Sequence, residues 1–338
     1  MAVHFGRQID SKEETLFRIA GASLFAALCI LIAVPTAAAD RYPERPIRLV
    51  VPFAPGGGTD ITARVLAESM STPLGETIVV DNRPGAGSII GCDIVAKAVP
   101  DGYTLLLASI SMTVNAAVYK RIPYDVERDL TALTRVSDQP SILVVHPSFP
   151  AKTFRDFLAQ ALAEPGKLTF GTPGYGTGTH LASEQLWQKV GADLVQVPYK
   201  GTGPALTSLL SKEITIYMST FASALPQVKQ GRLRAYAVTT QKRANLLPDV
   251  PTLAEEGVKD YDYSSWYGLF APAGTPQSIV NMINKAAVDA LRSPKLLQTF
   301  ENEGLTATPT TPEQFARYVA SERRKWTDVV QVAKIDRR

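Results

Sequence analysis

The chain has 338 residues, 45% of them apolar and 20% charged, which is ordinary globular composition and more length than one hydrophobic core comfortably serves, so two domains are expected. Its net charge of +3 is not gathered into any long run of like charges. The basic stripe that attracts nucleic acid or an anionic membrane surface is missing, and neither is expected as a partner.

At the N-terminus, Arg7, Lys12 and Arg18 lead into an apolar run from Ile19 to Val34, followed by Ala37, Ala38 and Ala39. A basic flank, an apolar stretch and a small-x-small end are the features of an export signal, with cleavage expected after Ala39. The run of about 16 residues is short for a bilayer span, and an uncleaved anchor is the alternative. Cleavage would remove Cys29 and leave Cys92 without an intrachain partner, and the residues before Cys29 do not suit lipid attachment. His146 and His180 with a single cysteine are too few for a zinc site, and no cofactor is expected.

Downstream, Ile47 to Phe53 reads as a strand, the loop after it carries Pro55 and three glycines, and Ile61, Val65, Leu66 and Met70 recur at helical spacing. The unit repeats. Thr77 to Val80 precedes Pro84–Gly87 and a helix to Ala98, and Thr104 to Ala108 precedes a polar loop and a short helix to Tyr119. Such alternation predicts a largely parallel sheet with helices on both faces. A second set follows Pro140, with strands at Ile142–Val145, Leu168–Gly171, Leu194–Val197, Ile214–Met218 and Arg234–Val238 and helices from Phe154, Leu181, Ala205 and Ala224. After a loop marked by Pro248 and Pro251 come a strand from Tyr263 to Ala271 and helical periodicity from Ser278 to Val332, interrupted near Pro309 and Pro312. The expected layout is an α/β protein of two lobes around a cleft, with 40–140 plus 263–338 as one lobe and 141–262 as the other.

Open α/β sheets bind ligands beyond the carboxyl ends of their strands, so the loops there are the places to search. In Pro55-Gly56-Gly57-Gly58-Thr59-Asp60, glycines can turn successive amide N–H groups toward one point at a helix start, which suits an anion. The lysine and spacing of a P-loop are lacking, and a capped turn without a ligand remains the alternative. A second such loop runs from Gly171 to His180 and adds threonine hydroxyls; for His180, ligand contact and a structural capping role both stay open. A third, Pro198 to Pro204, contains Tyr199, Lys200 and Gly201, with a solvated Lys200 as the default. Ser109, Ser111 and Thr113 offer hydroxyls beyond the third strand of the first set.

Pro84-Gly85-Ala86-Gly87-Ser88-Ile89-Ile90-Gly91 approaches a dinucleotide fingerprint, but it follows the second strand and its downstream acid, Asp101, lies in a turn, so a nucleotide is set aside. No G-x-S-x-G elbow is present, and nothing specific supports an enzyme.

Several motifs together resemble the Bug family, the periplasmic substrate-binding components of tripartite tricarboxylate transporters. They are Pro46–Phe53 with Pro55-Gly56-Gly57 and Asp60, Asn82–Gly87, Pro100–Leu105, Pro123-Tyr124-Asp125, Val197–Gly201, Leu247–Thr252 and Trp266–Leu269, in order along essentially the whole mature chain. The resemblance implies a type II periplasmic-binding-protein fold, a monomer that takes a citrate-like acid, a dicarboxylate, an acidic amino acid or an aromatic acid into a clamshell cleft, and membrane transporter subunits as partners. It places Pro55, Gly56, Gly57 and Asp60 on one side of the ligand and Gly174, Gly176, Thr177 and His180 on the other. The residues' own chemistry adds Gly58, Ser109, Thr113, Thr179, Tyr199, Gly201 and Ser219 as expected contacts. Ser219-Thr220 stands where the family commonly has Asp-Asn, and Ser211-Lys212 where it has Gly-Gly, so an ammonium-bearing amino acid would find one carboxylate fewer. Presentation of a ligand to a membrane sensor, and more remotely an exported hydrolase, are the other readings.

Overall fold

The computed structural model describes Met1 and residues 42–332. The expected export signal, its cleavage point and Cys29 lie outside the described residues. Strand β1 (Ile47–Val51) is nearly continuously buried, as befits a strand covered on both faces. Its parallel neighbours are β2 (Ile78–Asn82) and β3 (Thr104–Ser109), with Leu49 opposite Val80 on one side and Leu105 on the other. Helix α1 (Gly58–Leu74) follows β1 and stops at Gly75, whose φ of 76° takes the left-handed conformation a C-terminal cap needs. Helix α2 (Ile89–Ala96) follows β2 after a 3₁₀ turn, and α3 (Ser111–Val118) follows β3. These are the strand–loop–helix units expected from the sequence.

The next strand, β4 (Leu130–Val145), was expected only from Ile142. Its first half escapes a period-2 reading because the register shifts between Ala132 and Thr134 and again between Arg135 and Ser137, and bulges of this kind break the alternation of buried and exposed side chains. Then come α4 (Phe154–Ala163), opened by a capping box between Thr153 and Asp156, β5 (Thr169–Thr172), α5 (Gly178–Val190) and β6 (Val195–Pro198). They are followed by α6 (Thr202–Leu210), β7 (Ile216–Thr220), α7 (Phe221–Lys229) and β8 (Arg234–Val238). The chain continues through β9 (Ser264–Pro272), α8 (Gln277–Arg292), α9 (Pro294–Asn302), β10 (Thr306–Ala307) and α10 (Pro312–Val332). Helices α5, α6 and α7 begin three residues before the expected Leu181, Ala205 and Ala224. Glycines and threonines that read as loop in the sequence are thus helix starts.

The strand order is β2-β1-β3-β9-β4-β7-β5-β6, with β8 and β10 also paired to β4. The expectation of a largely parallel sheet needs correction. The flanks β2-β1-β3 and β7-β5-β6 are parallel, but every pairing of β4 and β9 is antiparallel. β4 makes two different sets of partners: Leu130 to Pro140 face β9, and Ser141 to Val145 face β7 and β8. The change falls at Pro140, a residue with no N–H to give to a ladder.

α10 packs back onto this centre. Phe315, fully buried, sits 4.9 Å from the Phe270 ring and 5.8 Å from the Trp266 ring, over Gly268, where a Cβ would lie 2.0 Å from its ring. The Trp266 and Trp326 indoles both donate to Glu322 Oε2, at 3.1 and 3.3 Å. Among the described residues no helix is long and apolar enough to cross a membrane. Phe315→Ala is expected to cost about 3–5 kcal/mol, the range for emptying a buried aromatic site, and urea unfolding of the variant beside the parent checks it.

Candidate functional site

Five helices begin at one small cavity. Its wall includes Gly57 at the cap of α1, Ile110 and Ser111 at the start of α3, Thr177 and Gly178 at the start of α5, Thr202 at the start of α6 and Thr220 at the cap of α7. Each of these helices directly follows a strand, so the cavity lies beyond the carboxyl ends of β1, β3, β5, β6 and β7. A helix N-terminus carries unpaired N–H groups and the equivalent of about half a positive charge, so five together make a strongly anion-attracting point without any cationic side chain.

The rest of the wall is neutral as well. Most of the lining residues bear hydroxyls, among them Thr59, Ser109, Thr179, Tyr263, Ser265 and Tyr267, and none carries a charge. Tyr263 donates to or accepts from Ser265 Oγ at 2.9 Å, and the Tyr267 hydroxyl meets the Gln139 amide. Burial holds both phenols above their usual pKa, so they stay protonated. Nothing in this wall titrates near neutral pH.

The cavity is ≈ 30 Å³, room for about two waters. It is shut by contacts across it. Ala54 N–H donates to the Lys200 carbonyl at 3.3 Å, Ser223 Oγ to the Gly56 carbonyl at 3.1 Å, and Gly178 N–H to Ser111 Oγ at 3.2 Å. Phe53 and Pro173 also line an adjoining, outer chamber of ≈ 190 Å³, whose other lining residues are Gly85–Ser88, Tyr119, Gly174, Tyr175 and Pro198–Lys200.

The expected contacts divide between these spaces. Gly57, Ser109, Thr177 and Thr179 line the inner cavity, while Gly174 and Tyr199 line the outer chamber together with Lys200, for which solvation was the default expectation. Pro55, Gly56, Gly58, Asp60, Thr113, Gly176, His180, Gly201 and Ser219 line neither, and most have visible structural duties. Gly58 underlies Tyr267, whose hydroxyl would sit 2.4 Å from an added Cβ. Gly201, at φ 143°, brings the chain against Ala54 N. Thr113 Oγ1 donates to the Ile110 carbonyl and Ser219 Oγ to that of Thr220. His180 is buried, its Nδ1 accepting from Gly176 N–H at 3.3 Å and its ring lying 4.8 Å from that of Tyr175 at a tilt of 44°. Phe53, Thr202, Thr220, Tyr263, Ser265 and Tyr267 were not anticipated. Tyr263, just before β9, and Ser265 and Tyr267 within it alternate along the chain, the period that sends side chains to one face of a strand, and this stretch read simply as core.

Asp60 organises the first loop. Its Oδ2 accepts from Gly56 N–H at 3.0 Å and Arg64 Nε at 3.1 Å, and its Oδ1 from Asn82 Nδ2 at 3.0 Å and Arg64 Nη2 at 2.9 Å. Burial alone would raise this carboxyl, but the bonds from Arg64, Gly56 and Asn82 outweigh it and hold it below the usual carboxylate range. A depressed carboxyl contributes its stability in full above about pH 4 and loses it as pH falls through the folded value. Asp60→Asn is therefore expected to lose about 1–3 kcal/mol at pH 7 and to show a shallower fall in stability below about pH 4 than the parent, in urea unfolding across pH 3 to 7.

The sequence matches the family described as "Tripartite tricarboxylate transporter family receptor" over residues 62–335. It is 38% identical to Protein BugT of Bordetella pertussis over 302 residues, 89% of this chain and 92% of that one. Among solved structures, the periplasmic binding protein BugD superposes with a TM-score of 0.86 at 34% identity, covering 88% of this chain and all of its own. A Rhodopseudomonas palustris protein solved with adipate gives 0.85 at 33% identity, over 87% of this chain and 99% of that one.

Proposed function

We propose that this chain, which belongs to the tripartite tricarboxylate transporter receptor family, captures a small carboxylate at the five helix ends and delivers it to the membrane subunits of such a transporter. It is a periplasmic solute-binding protein of the Bug type, in the fold that its solved relatives share. The observation that carries the ligand class is the convergence of N-termini on a hydroxyl-lined space without charged side chains. A carboxylate brings the only charge, and fixed N–H and O–H donors meet it with bonds stronger than those between neutral groups.

The lack of a lining carboxylate weighs against an ammonium-bearing ligand, since its charge would be buried without a partner. Without a histidine, cysteine or acid in the wall, no general base faces a bound molecule, which supports capture without chemistry. The bound adipate of the Rhodopseudomonas palustris relative agrees with this class.

In this reading the leader is removed after Ala39 and the mature monomer works in the periplasm. Residues 40–140 with 263–338 form one lobe and 141–262 the other. Opening then bends β4 and the start of β9, where Pro140 pairs with Ser264 and the next residue, Ser141, pairs with Thr220. The closed cavity holds little more than a carboxylate head, so entry requires breaking the bonds from Ala54 to Lys200 and from Ser223 to Gly56.

The test is thermal unfolding of the chain from Asp40 onward with aliphatic dicarboxylates, citrate, aromatic acids and their methyl esters. At least one acid is expected to stabilise the protein saturably, by about 2.7 kcal/mol at a hundred times its Kd, while its ester has no effect. No shift with any acid, from a ligand-free folded sample, would remove the carboxylate reading.

A further inference from the structure

The inner cavity takes a head group and leaves the body of the ligand to the outer chamber, and that chamber has a distinct chemistry. Its larger side chains are Phe53, Tyr119, Tyr175 and Tyr199, and its only charged residue is Lys200. The tyrosine hydroxyls with known partners are turned to other groups. That of Tyr199 is bonded to Ser208, and that of Tyr119 donates to the Tyr175 carbonyl at 3.4 Å. What these residues offer the chamber is ring surface. Tyr119 and Tyr175 meet edge to face, 5.6 Å between centroids at 86°, and the Tyr175 ring is backed by His180.

Another part of the wall is backbone held in an uncommon shape. Gly85, Ala86, Gly87 and Ser88 have φ of 142°, 47°, 60° and 91°, four successive positive values of which two belong to residues that rarely adopt them. Asn115 locks this turn by donating to the Gly87 carbonyl at 2.8 Å and Ser88 Oγ at 3.0 Å. A side chain at Gly87 would run into the Tyr175 carbonyl, and one at Gly174 would lie 3.4 Å from Gly87 Cα. The strained turn thus packs its backbone directly against Gly174 and Tyr175, and beside that contact lies the chamber lined by Phe53, Tyr119, Tyr175 and Tyr199. At ≈ 190 Å³ it exceeds the roughly 150 Å³ of an apolar cavity known to accept benzene.

Resting on the carboxylate reading above, we infer that the preferred ligand is a benzene-ring carboxylate: its head group lies at the helix ends, its ring lies in the outer chamber against Tyr175, and an acidic substituent on the far side meets Lys200. Aromatic rings gain from offset and edge-to-face contacts beyond the area they bury, whereas an aliphatic chain gains area alone. Tyr175 is the specificity-determining residue, and His180 positions it.

The experiment compares benzene-1,4-dicarboxylate with adipate, two dianions with a carboxylate at each end, by calorimetric titration of the mature chain. The aromatic acid is expected to bind at least tenfold tighter. That ratio should fall to near one in Tyr175→Ala and persist in Tyr175→Phe, which keeps the ring. Equal affinities in the parent, or tighter binding of adipate, overturn the inference while leaving the carboxylate reading intact. A ratio that survives Tyr175→Ala overturns the role of Tyr175. Binding of neither these acids nor any other of the panel removes both readings together.

Discussion

Helix N-termini cannot satisfy their own first N–H groups, and this chain brings five of them to one point. That arrangement depends on the antiparallel pairing of β4 and β9. The parallel flanks β2-β1-β3 and β7-β5-β6 each direct helices to the carboxyl ends of their strands, and alone each would present a separate edge of helix starts. Because β4 pairs with β9 up to Pro140 and with β7 and β8 from Ser141, one continuous strand joins both flanks and turns their helix starts to face one another. The packing of α10 against β9, through Phe315, Trp266 and the twice-bonded Glu322, keeps that pairing in place.

A site built from N–H groups and hydroxyls differs from one built from lysine or arginine. Fixed dipoles attract an anion without placing a buried cation that must be neutralised when the site is empty. Here the polar groups satisfy one another: Ser111 Oγ accepts from Gly178 N–H, Thr220 Oγ1 donates to Ser223 Oγ, and the Tyr263 hydroxyl pairs with Ser265 Oγ. In the proposed function a carboxylate entering the cavity would replace these neutral bonds with charge-assisted ones, and that gain would favour the closed form.

Acidic and strained groups here serve geometry. Asp60 uses both oxygens to hold Gly56, Asn82 and Arg64, so the first glycine loop is set before any ligand arrives. Asn115 does the same for the positive-φ turn at 85–88. His180 holds Gly176 and packs its ring at a tilt against Tyr175. Preformed loops reduce the ordering cost of binding.

The strand–loop–helix units, the glycine loops at 55–58 and 171–178 and the family motifs were legible in the sequence, because hydrophobic period, glycine and proline act over a few neighbouring residues. Gly57, Ser109, Thr177 and Thr179 could be picked out as lining residues for the same reason. The first half of β4 was hidden by its bulges, and the antiparallel centre by the distance in sequence between Pro140 and its partner Ser264. Only the folded structure could show that Asp60, Thr113 and His180 spend their polar atoms on neighbours, or that Ser265 and Tyr267 of a core strand, with Tyr263 just before it, line the cavity. Local spacing determines which residues can end a helix or turn a loop. Which of those ends meet, and which side chains stand between them, is decided by long-range pairing and packing that no short stretch of sequence contains.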